Sequence, residues 1–206
     1  MSLTIIIVAI TVAISFLAWN NPSIYQQMML NPYAVSQRKQ YWRFLTSGFI
    51  HGGYMHLGFN MFTLYFFGTV VEVLFSQILG GDSTTTFVLF YVSAIIISDI
   101  PSFLKHRNQP GYNSLGASGA VSAMVFCSIL YMPLNKICLF AVLCLPGFIL
   151  GGLYIVYSYT QGKNMSDNIN HDAHLFGAIY GIIFGLAVYP ESGPEFFRQI
   201  MSYRLF

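Results

Sequence analysis

One serine, Ser118, stands between glycines and alanines at the start of an apolar segment. Backbone N–H groups at a helix N-terminus stabilise negative charge, so a serine placed there is suited to act as a nucleophile. The same pattern also serves helix packing, because small residues let membrane helices approach one another closely. Gly-x-Ser-Gly is common by chance, so Ser118 has to be interpreted together with the rest of the chain.

The second residue with chemical potential is His174, near the start of the last apolar segment. Gly177, Gly181 and Gly185 follow it at offsets of three, seven and eleven, which places all four residues on one helical face. Such a face could pack on the small residues around Ser118. That packing would bring the imidazole within hydrogen-bond reach of the serine, whose proton it could take. The alternative is a histidine that caps a helix at the membrane interface.

His56 and Asn60 form a further pair, four residues apart at the start of an apolar segment. This spacing puts them on one face of a helix. Imidazole and carboxamide groups both offer hydrogen-bond donors, and donors that converge on one point stabilise a developing oxyanion. The alternative is an ordinary hydrogen bond between helices.

Other ionisable residues in or beside apolar segments raise the question of a metal site. Four histidines are involved, namely His51, His56, His171 and His174. The sequence has no His-Glu-x-x-His motif, and no carboxylate adjoins His51 or His56, so we expect neither metal nor cofactor. For the two acids within apolar segments, Glu72 and Asp99, a hydrogen bond between helices or a place in a water-lined pocket is favoured over a catalytic role.

The composition indicates an integral membrane protein with one domain over residues 1–206. Hydrophobic residues make up 55% of the chain and charged residues only 8%, against about 25% charged in soluble domains. A net charge of +2, with no basic cluster longer than Arg38-Lys39, argues against a nucleic-acid partner. The first residues lack the basic start of a signal peptide, so we expect no cleaved leader.

The order of apolar segments predicts an all-α bundle of six transmembrane helices. The predicted spans are residues 3–19, 57–79, 86–104, 116–132, 137–159 and 173–189. The long, aromatic connection over residues 20–55 is expected to lie at the membrane interface. Pro146 predicts a kink in the fifth span, and the tail after Pro190 an interfacial helix or a frayed end. The three cysteines are interpreted as small core or lipid-facing residues.

With these residues in view, the chain resembles the rhomboid intramembrane serine proteases, in their compact bacterial form with six spans. The resemblance covers nearly all of residues 42–185 and depends on the order of its motifs. The matching motifs are Trp42-Arg43 in the first loop, His56 with Asn60 and Gly68 with Glu72 in the second span, Gly116-Ala117-Ser118-Gly119 at the fourth, and Ala173-His174 with Gly177 and Gly181 in the sixth.

The resemblance implies a catalytic dyad without an acid, in which Ser118 is the nucleophile and His174 the general base. It also implies an oxyanion hole formed by His56, Asn60 and the backbone N–H of Ser118. Supporting roles fall to Trp42, Arg43, Glu72, Gly116, Gly119, Gly177 and Gly181. The implied substrate is a single transmembrane helix of a membrane protein, locally unwound and cut near small residues, with lipid as the surroundings and no cofactor.

Two features depart from the family pattern. Some relatives carry a tyrosine four residues after the nucleophile, which packs on the catalytic histidine, and here that position is Ser122. The resemblance also implies a bacterial plasma membrane location with the active site toward the extracytoplasmic face. In that orientation the outer loops would carry six of the nine basic residues, against the positive-inside tendency. The competing function is that of a catalytically silent rhomboid-like protein that binds transmembrane helices.

Overall fold

The computed structural model describes residues 2–139, 142–164 and 169–204, and these fold mostly as α-helices with one β-hairpin. Six of the helices are long and form the bundle. They are α1 (Leu3–Trp19), α5 (Tyr54–Leu79), α6 (Ser83–His106), α7 (Ser118–Tyr131), α8 (Gly147–Asn164) and α9 (His171–Val188). The shorter helices are α2 (Pro22–Met28), α3 (Pro32–Arg38), α4 (Arg43–Thr46) and α10 (Ser192–Ser202).

Length and hydropathy single out two helical stretches among the described residues as able to cross a membrane, Tyr54–His106 and His171–Val188. The first of these contains both α5 and α6. Two further apolar helices, α1 and α7, are shorter than a typical span. The helical class is therefore confirmed, whereas the count of six spans stays a prediction.

The predicted fifth span over residues 137–159 is wrong in its first part. Strands β1 (Lys136–Leu139) and β2 (Leu143–Pro146) pair there as an antiparallel hairpin, and α8 starts only at Gly147. A short apolar run suits a strand as well as a helix, so hydropathy alone could not separate the two. Pro146 ends the second strand and precedes the helix, so it does not kink a longer span.

The hairpin also corrects the interpretation of two cysteines. Cys138 and Cys144 face each other across the two strands and form a disulfide. Only Cys127, buried in α7, matches the predicted small core residue. No pairing signal precedes the structure, because three cysteines in an apolar chain fit core positions equally well.

The connection between α1 and α5 is built from short helices that start at asparagine–proline pairs. The Asn21 side chain accepts hydrogen bonds from Ser23 and Ile24, and Asn31 accepts one from Ala34. An asparagine cap followed by proline is a strong start signal, because both satisfy or remove unpaired N–H groups. The segment is therefore built from capped helices, and its location at the membrane interface stays a prediction.

Helix α7 lies at the centre of the bundle, with α5, α6, α8 and α9 around it. Most of its side chains are buried, whereas large apolar side chains on the outer helices are exposed. Examples of these exposed residues are Leu17, Phe59, Phe62, Leu153, Val156 and Ile183. An apolar outer surface of this kind is the one expected where lipid takes the place of water. The element that carries Ser118 is therefore held on all sides.

Candidate active site

Helices α7 and α9 contact each other backbone to backbone. A Cβ placed on Gly177 would clash with the carbonyl oxygen of Gly119, and one on Gly181 would clash with that of Ala123. These pairs run in the same direction along both helices, so the glycine face predicted for α9 meets the small residues of α7. Glycine is required at both positions because even one methyl group would force the helices apart.

This contact puts the two candidate catalytic residues at adjoining positions. The position of a Cβ on Gly119, the residue after Ser118, lies 3.3 Å from the carbonyl oxygen of Ala173, the residue before His174. Ser118 is the first residue of α7, and both it and His174 are half-buried. The hydrogen bond between the two side chains stays a prediction.

The turn that leads into Ser118 is held in a conformation that only glycine adopts readily. Gly116 has a φ of 115° and donates its N–H to the carbonyl oxygen of Ser47 at 2.9 Å. One step earlier, Ser114 pairs with Leu30 of the first connection in a short antiparallel bridge. The long connection between α1 and α5 therefore fixes the backbone just before Ser118.

His51 supplies a further anchor for this turn. Its Nε2 accepts the N–H of Ala117 at 3.2 Å, so the neutral ring carries its proton on Nδ1, which lies 3.2 Å from the Ser15 hydroxyl. The side chain is fully buried. Burial lowers the pKa of His51 to about 3, and the neighbouring His56 contributes to this shift. His51 is thus a neutral link between α1 and the start of α7.

His56 lies against the same turn. Its Nδ1 accepts the N–H of Gly52 at 3.3 Å, which leaves the proton of the neutral ring on Nε2. That Nε2 atom lies 2.8 Å from the position of a Cβ on Gly116, two residues before Ser118. The ring therefore places a hydrogen-bond donor beside the turn that leads into α7.

Asn60 lies one turn further along α5 and is buried, with 4% of its surface exposed. Its Nδ2 donates one hydrogen bond to the carbonyl oxygen of His56 at 2.9 Å. A carboxamide nitrogen carries two protons, so a second donor is present on the same atom. His56 and Asn60 therefore share one face of α5, as their spacing predicted.

The ring of His174 is enclosed by aromatic neighbours. Tyr154 of α8 lies nearly parallel to it, with ring centroids 6.3 Å apart and an interplanar angle of 23°. His171, one turn earlier on α9, meets it edge-on at 5.9 Å. The Tyr154 hydroxyl lies 2.9 Å from the hydroxyl of Ser122 on α7. A tyrosine therefore packs on His174 although the residue at position 122 is serine.

Hydrogen bonds to α6 fix the start of α9. Asn170 caps the helix by accepting the N–H of Ala173 at 3.1 Å, and its Nδ2 donates to the Asp99 carboxylate at 3.3 Å. The Ser102 hydroxyl donates to the same Asn170 side chain at 2.8 Å. Asp99 thus makes the bond between helices that the sequence favoured, and it acts on the end of α9 that carries His174.

The remaining predicted residues lie farther out. Arg43 is buried and donates to the carbonyl oxygens of Gln26 and Met29, which ties the first connection together. Trp42 beside it is largely exposed. Glu72 accepts four hydrogen bonds from the first residues of α1, two from the backbone and two from the Ser2 and Thr4 hydroxyls. Arg43 and Glu72 thus make structural hydrogen bonds, and their role in support of the active site stays a prediction.

Sequence reasoning missed three residues of this site, His51, Tyr154 and Asn170. A signal existed for Asn170, because asparagine three residues before a helical alanine is a typical N-cap. No such signal existed for His51 and Tyr154, because their contacts join elements that are distant in sequence. The described residues contain no group of three or more histidine, cysteine or acidic side chains that could hold a metal ion.

Comparison with known proteins identifies the class of protein to which this site belongs. The family model of the rhomboid domain matches residues 38–191, and the chain belongs to the rhomboid family. The match includes every candidate site residue of the sequence analysis, from Trp42 to Gly181.

Among individual relatives, the chain is similar to the rhomboid protease GluP of Bacillus subtilis, with 29% identity over 79% of this chain and 29% of that protein. It is also similar to the mitochondrial presenilin-associated rhomboid-like protein of Rattus norvegicus, with 28% identity over 82% of this chain and 44% of that protein. A third relative is the mitochondrial rhomboid protein 1 of Saccharomyces cerevisiae, 30% identical over 68% of this chain and 39% of that protein. The chain thus spans less than half the length of these relatives.

Proposed function

We propose that the protein is an intramembrane serine endopeptidase that hydrolyses peptide bonds in or near transmembrane segments. The observation that carries the proposal is the backbone contact of α7 with α9, in which Gly119 lies beside Ala173, and it supports a contact between their neighbours Ser118 and His174. The relative GluP is named a protease, and this chain retains both dyad residues. The family membership supports a location in a membrane.

In the proposed mechanism, His174 takes the proton of Ser118 while the hydroxyl oxygen attacks the scissile carbonyl carbon. The resulting oxyanion is stabilised by His56 Nε2–H, by the second N–H of Asn60, and by the backbone N–H of Ser118. His174 then passes the proton to the leaving amine as the C–N bond breaks. Water attacks the acyl-enzyme with His174 again as base, which releases the acid and regenerates the serine.

The substrate in this proposal is a single-pass transmembrane protein. A membrane-spanning helix has all its backbone groups paired, so the segment to be cut must unwind before its carbonyl can reach Ser118. Small residues near the scissile bond would favour this unwinding. Membrane lipid forms the surroundings of the enzyme, and the mechanism uses no metal and no cofactor.

The competing function is that of a silent rhomboid-like protein that binds transmembrane helices without cutting them. The presence of both Ser118 and His174, on helices in backbone contact, favours catalysis over this alternative. A binding role alone would place no demand on a hydrogen-bond donor at His56 Nε2 beside Gly116.

The test is the labelling of the purified protein in detergent with a fluorophosphonate, which reacts with activated serines. We expect the wild type to be labelled and the Ser118→Ala and His174→Ala variants to be unlabelled while they retain the wild-type unfolding temperature. Ser128→Ala serves as the matched control on the same helix, because its hydroxyl bonds only to the carbonyl oxygen of Val125, and it should still be labelled. A folded wild type that resists labelling and cleaves no transmembrane peptide would support the silent, helix-binding alternative.

A further inference from the structure

We propose that Tyr154 of α8 is the positioning residue for the His174 imidazole, and that the Ser122 hydroxyl holds it in place. This inference rests on the proposed function, because it assigns a residue to the support of the proposed general base. It answers the question that the departure from the family pattern raised, namely which group packs on the histidine when position 122 is a serine.

The first step of the argument is the geometry of the two rings. Tyr154 and His174 lie within 23° of parallel with their centroids 6.3 Å apart, which is an offset stack. His171 meets His174 edge-on from another direction. An imidazole with aromatic neighbours on two sides has few rotamers open to it, so its ring nitrogens keep a fixed direction.

The second step is the anchoring of Tyr154 itself. Its hydroxyl lies at 2.9 Å from the Ser122 hydroxyl, and the Phe126 ring, one turn further along α7, packs on the Tyr154 ring with centroids 5.7 Å apart. Tyr154 is thus held at both its polar and its apolar parts by α7, the helix that carries Ser118. One helix therefore positions the nucleophile directly and the base through Tyr154.

The third step is an exchange of positions. Ser122 lies one turn after Ser118, and its side chain is directed at the hydroxyl of Tyr154. A tyrosine at position 122 would extend toward the Tyr154 ring, and that ring is the one that packs on His174 here. Serine at position 122 is then required, because a large side chain there would compete with Tyr154 for the same space.

The experiment measures the rate of fluorophosphonate labelling and the kcat and KM for a transmembrane peptide. Tyr154→Ala should lower the labelling rate and kcat about tenfold with little change in KM, since the ring orients the base and is not proposed to touch substrate. Tyr154→Phe keeps the ring but loses the hydroxyl that meets Ser122, so the labelling rate and kcat should fall about threefold. The matched control is Tyr159→Ala on the same helix, whose exposed ring contacts Lys163 and should leave both rates unchanged.

The decisive variant exchanges the two residues. Ser122→Tyr alone should be slow because two tyrosines would compete for one space, whereas Ser122→Tyr combined with Tyr154→Ser should recover most of the wild-type rate. If Tyr154 had a purely structural role, the losses of rate from the two substitutions would add, and the double variant would be slower than either single variant. Unfolding temperatures of all variants show whether each is folded.

The outcomes separate this inference from the proposed function. A labelled wild type with an equally fast, folded Tyr154→Ala variant would overturn the positioning role and leave the protease intact. The same holds if the folded exchange variant is no faster than Tyr154→Ala. An unlabelled wild type would instead overturn the proposed function. In that event the ring-current shift of the His174 proton resonances on Tyr154→Ala substitution tests the stack itself, and an unchanged resonance would overturn it.

Discussion

Helices α8 and α9 both pack on α7, but they do so by different means. Between α9 and α7 the contact is made by backbone atoms at Gly177 and Gly181, which leaves no side chain that could adjust. Between α8 and α7 the contact is made by side chains, such as Tyr154 against Phe126. Backbone contacts have one solution, whereas side chains can change rotamer. The difference indicates that the distance between the starts of α7 and α9, which carry Ser118 and His174, is fixed, while the packing of α8 beside them is adjustable.

The largest expected effect breaks the contact of α9. Gly177→Ala should lower the free energy of unfolding by about 3 kcal/mol or more, because the new methyl group would meet the backbone of Gly119, which cannot move aside. Thermal unfolding in detergent measures the change. Gly152→Ala on α8 is the matched control, since a Cβ there meets nothing within 4 Å. Equal stability of the Gly177→Ala variant would show that the backbone contact is not required.

Removal of the hairpin disulfide should destabilise the start of α8 and leave the contact between α7 and α9 unchanged. Cys138→Ser opens a loop closed over a separation of six residues, and we expect a loss of about 2 kcal/mol in unfolding free energy. Amide hydrogen exchange would locate the change at the start of α8, and the amides of α9 should be protected as before. Cys127→Ser removes a buried thiol outside the hairpin and is the control. Faster exchange in α9 would mean that the two contacts are coupled.

Acid should loosen the turn that precedes α7 and leave both helix contacts in place. Burial lowers the pKa of His51 to about 3 from its ordinary value of 6.5, so between these values the unfolded state binds a proton that the folded state does not. Stability therefore falls as pH falls through this window, by up to about 1.4 kcal/mol per pH unit from this group.

The measurement is the difference in unfolding free energy between pH 7 and pH 5.5, for the wild type and for His51→Gln. The variant removes this titration and keeps that of the neighbouring His56, so the pH dependence should become shallower. An identical dependence in both proteins would show that His51 is not held neutral by the fold.

The smallest expected effect concerns the side-chain contact between α8 and α7. Gly151→Ala on α8 places a methyl group 3.1 Å from Ile129 Cδ1 and 3.3 Å from Phe126 Cε1, the ends of side chains that can shift. We expect a change within about 1 kcal/mol, since the helix propensity of alanine offsets part of the crowding. A loss as large as that of Gly177→Ala would erase the distinction between the two contacts.

Sequence reasoning reached those parts of the molecule that follow from local pattern. The glycine spacing on α9 and the pair His56 and Asn60 on α5 needed only helical periodicity, so their faces could be predicted. The residues that start α1 and α9 were likewise placed to within a few positions. These predictions depend on neighbours within about two turns.

The parts that were missed depend on contacts between distant segments. His51 meets Ala117 across 66 positions, and Tyr154 meets Ser122 across 32, so no periodicity connects them. The prediction was wrong at the hairpin before α8 for another reason, because a strand and a buried helix share the same apolar composition. Its disulfide became visible only when the strand register placed Cys138 opposite Cys144.

That disulfide also gives the molecule a chemical marker of sidedness. The hairpin follows the C-terminal end of α7, at the opposite end of the bundle from Ser118. Structural disulfides persist in oxidising compartments and are rare in reducing ones. If the bond is oxidised in cells, the Ser118 end faces the reducing compartment, together with the loops that carry six of the nine basic residues. If the two cysteines are reduced there, the Ser118 end of the bundle faces the extracytoplasmic side, as the resemblance implies.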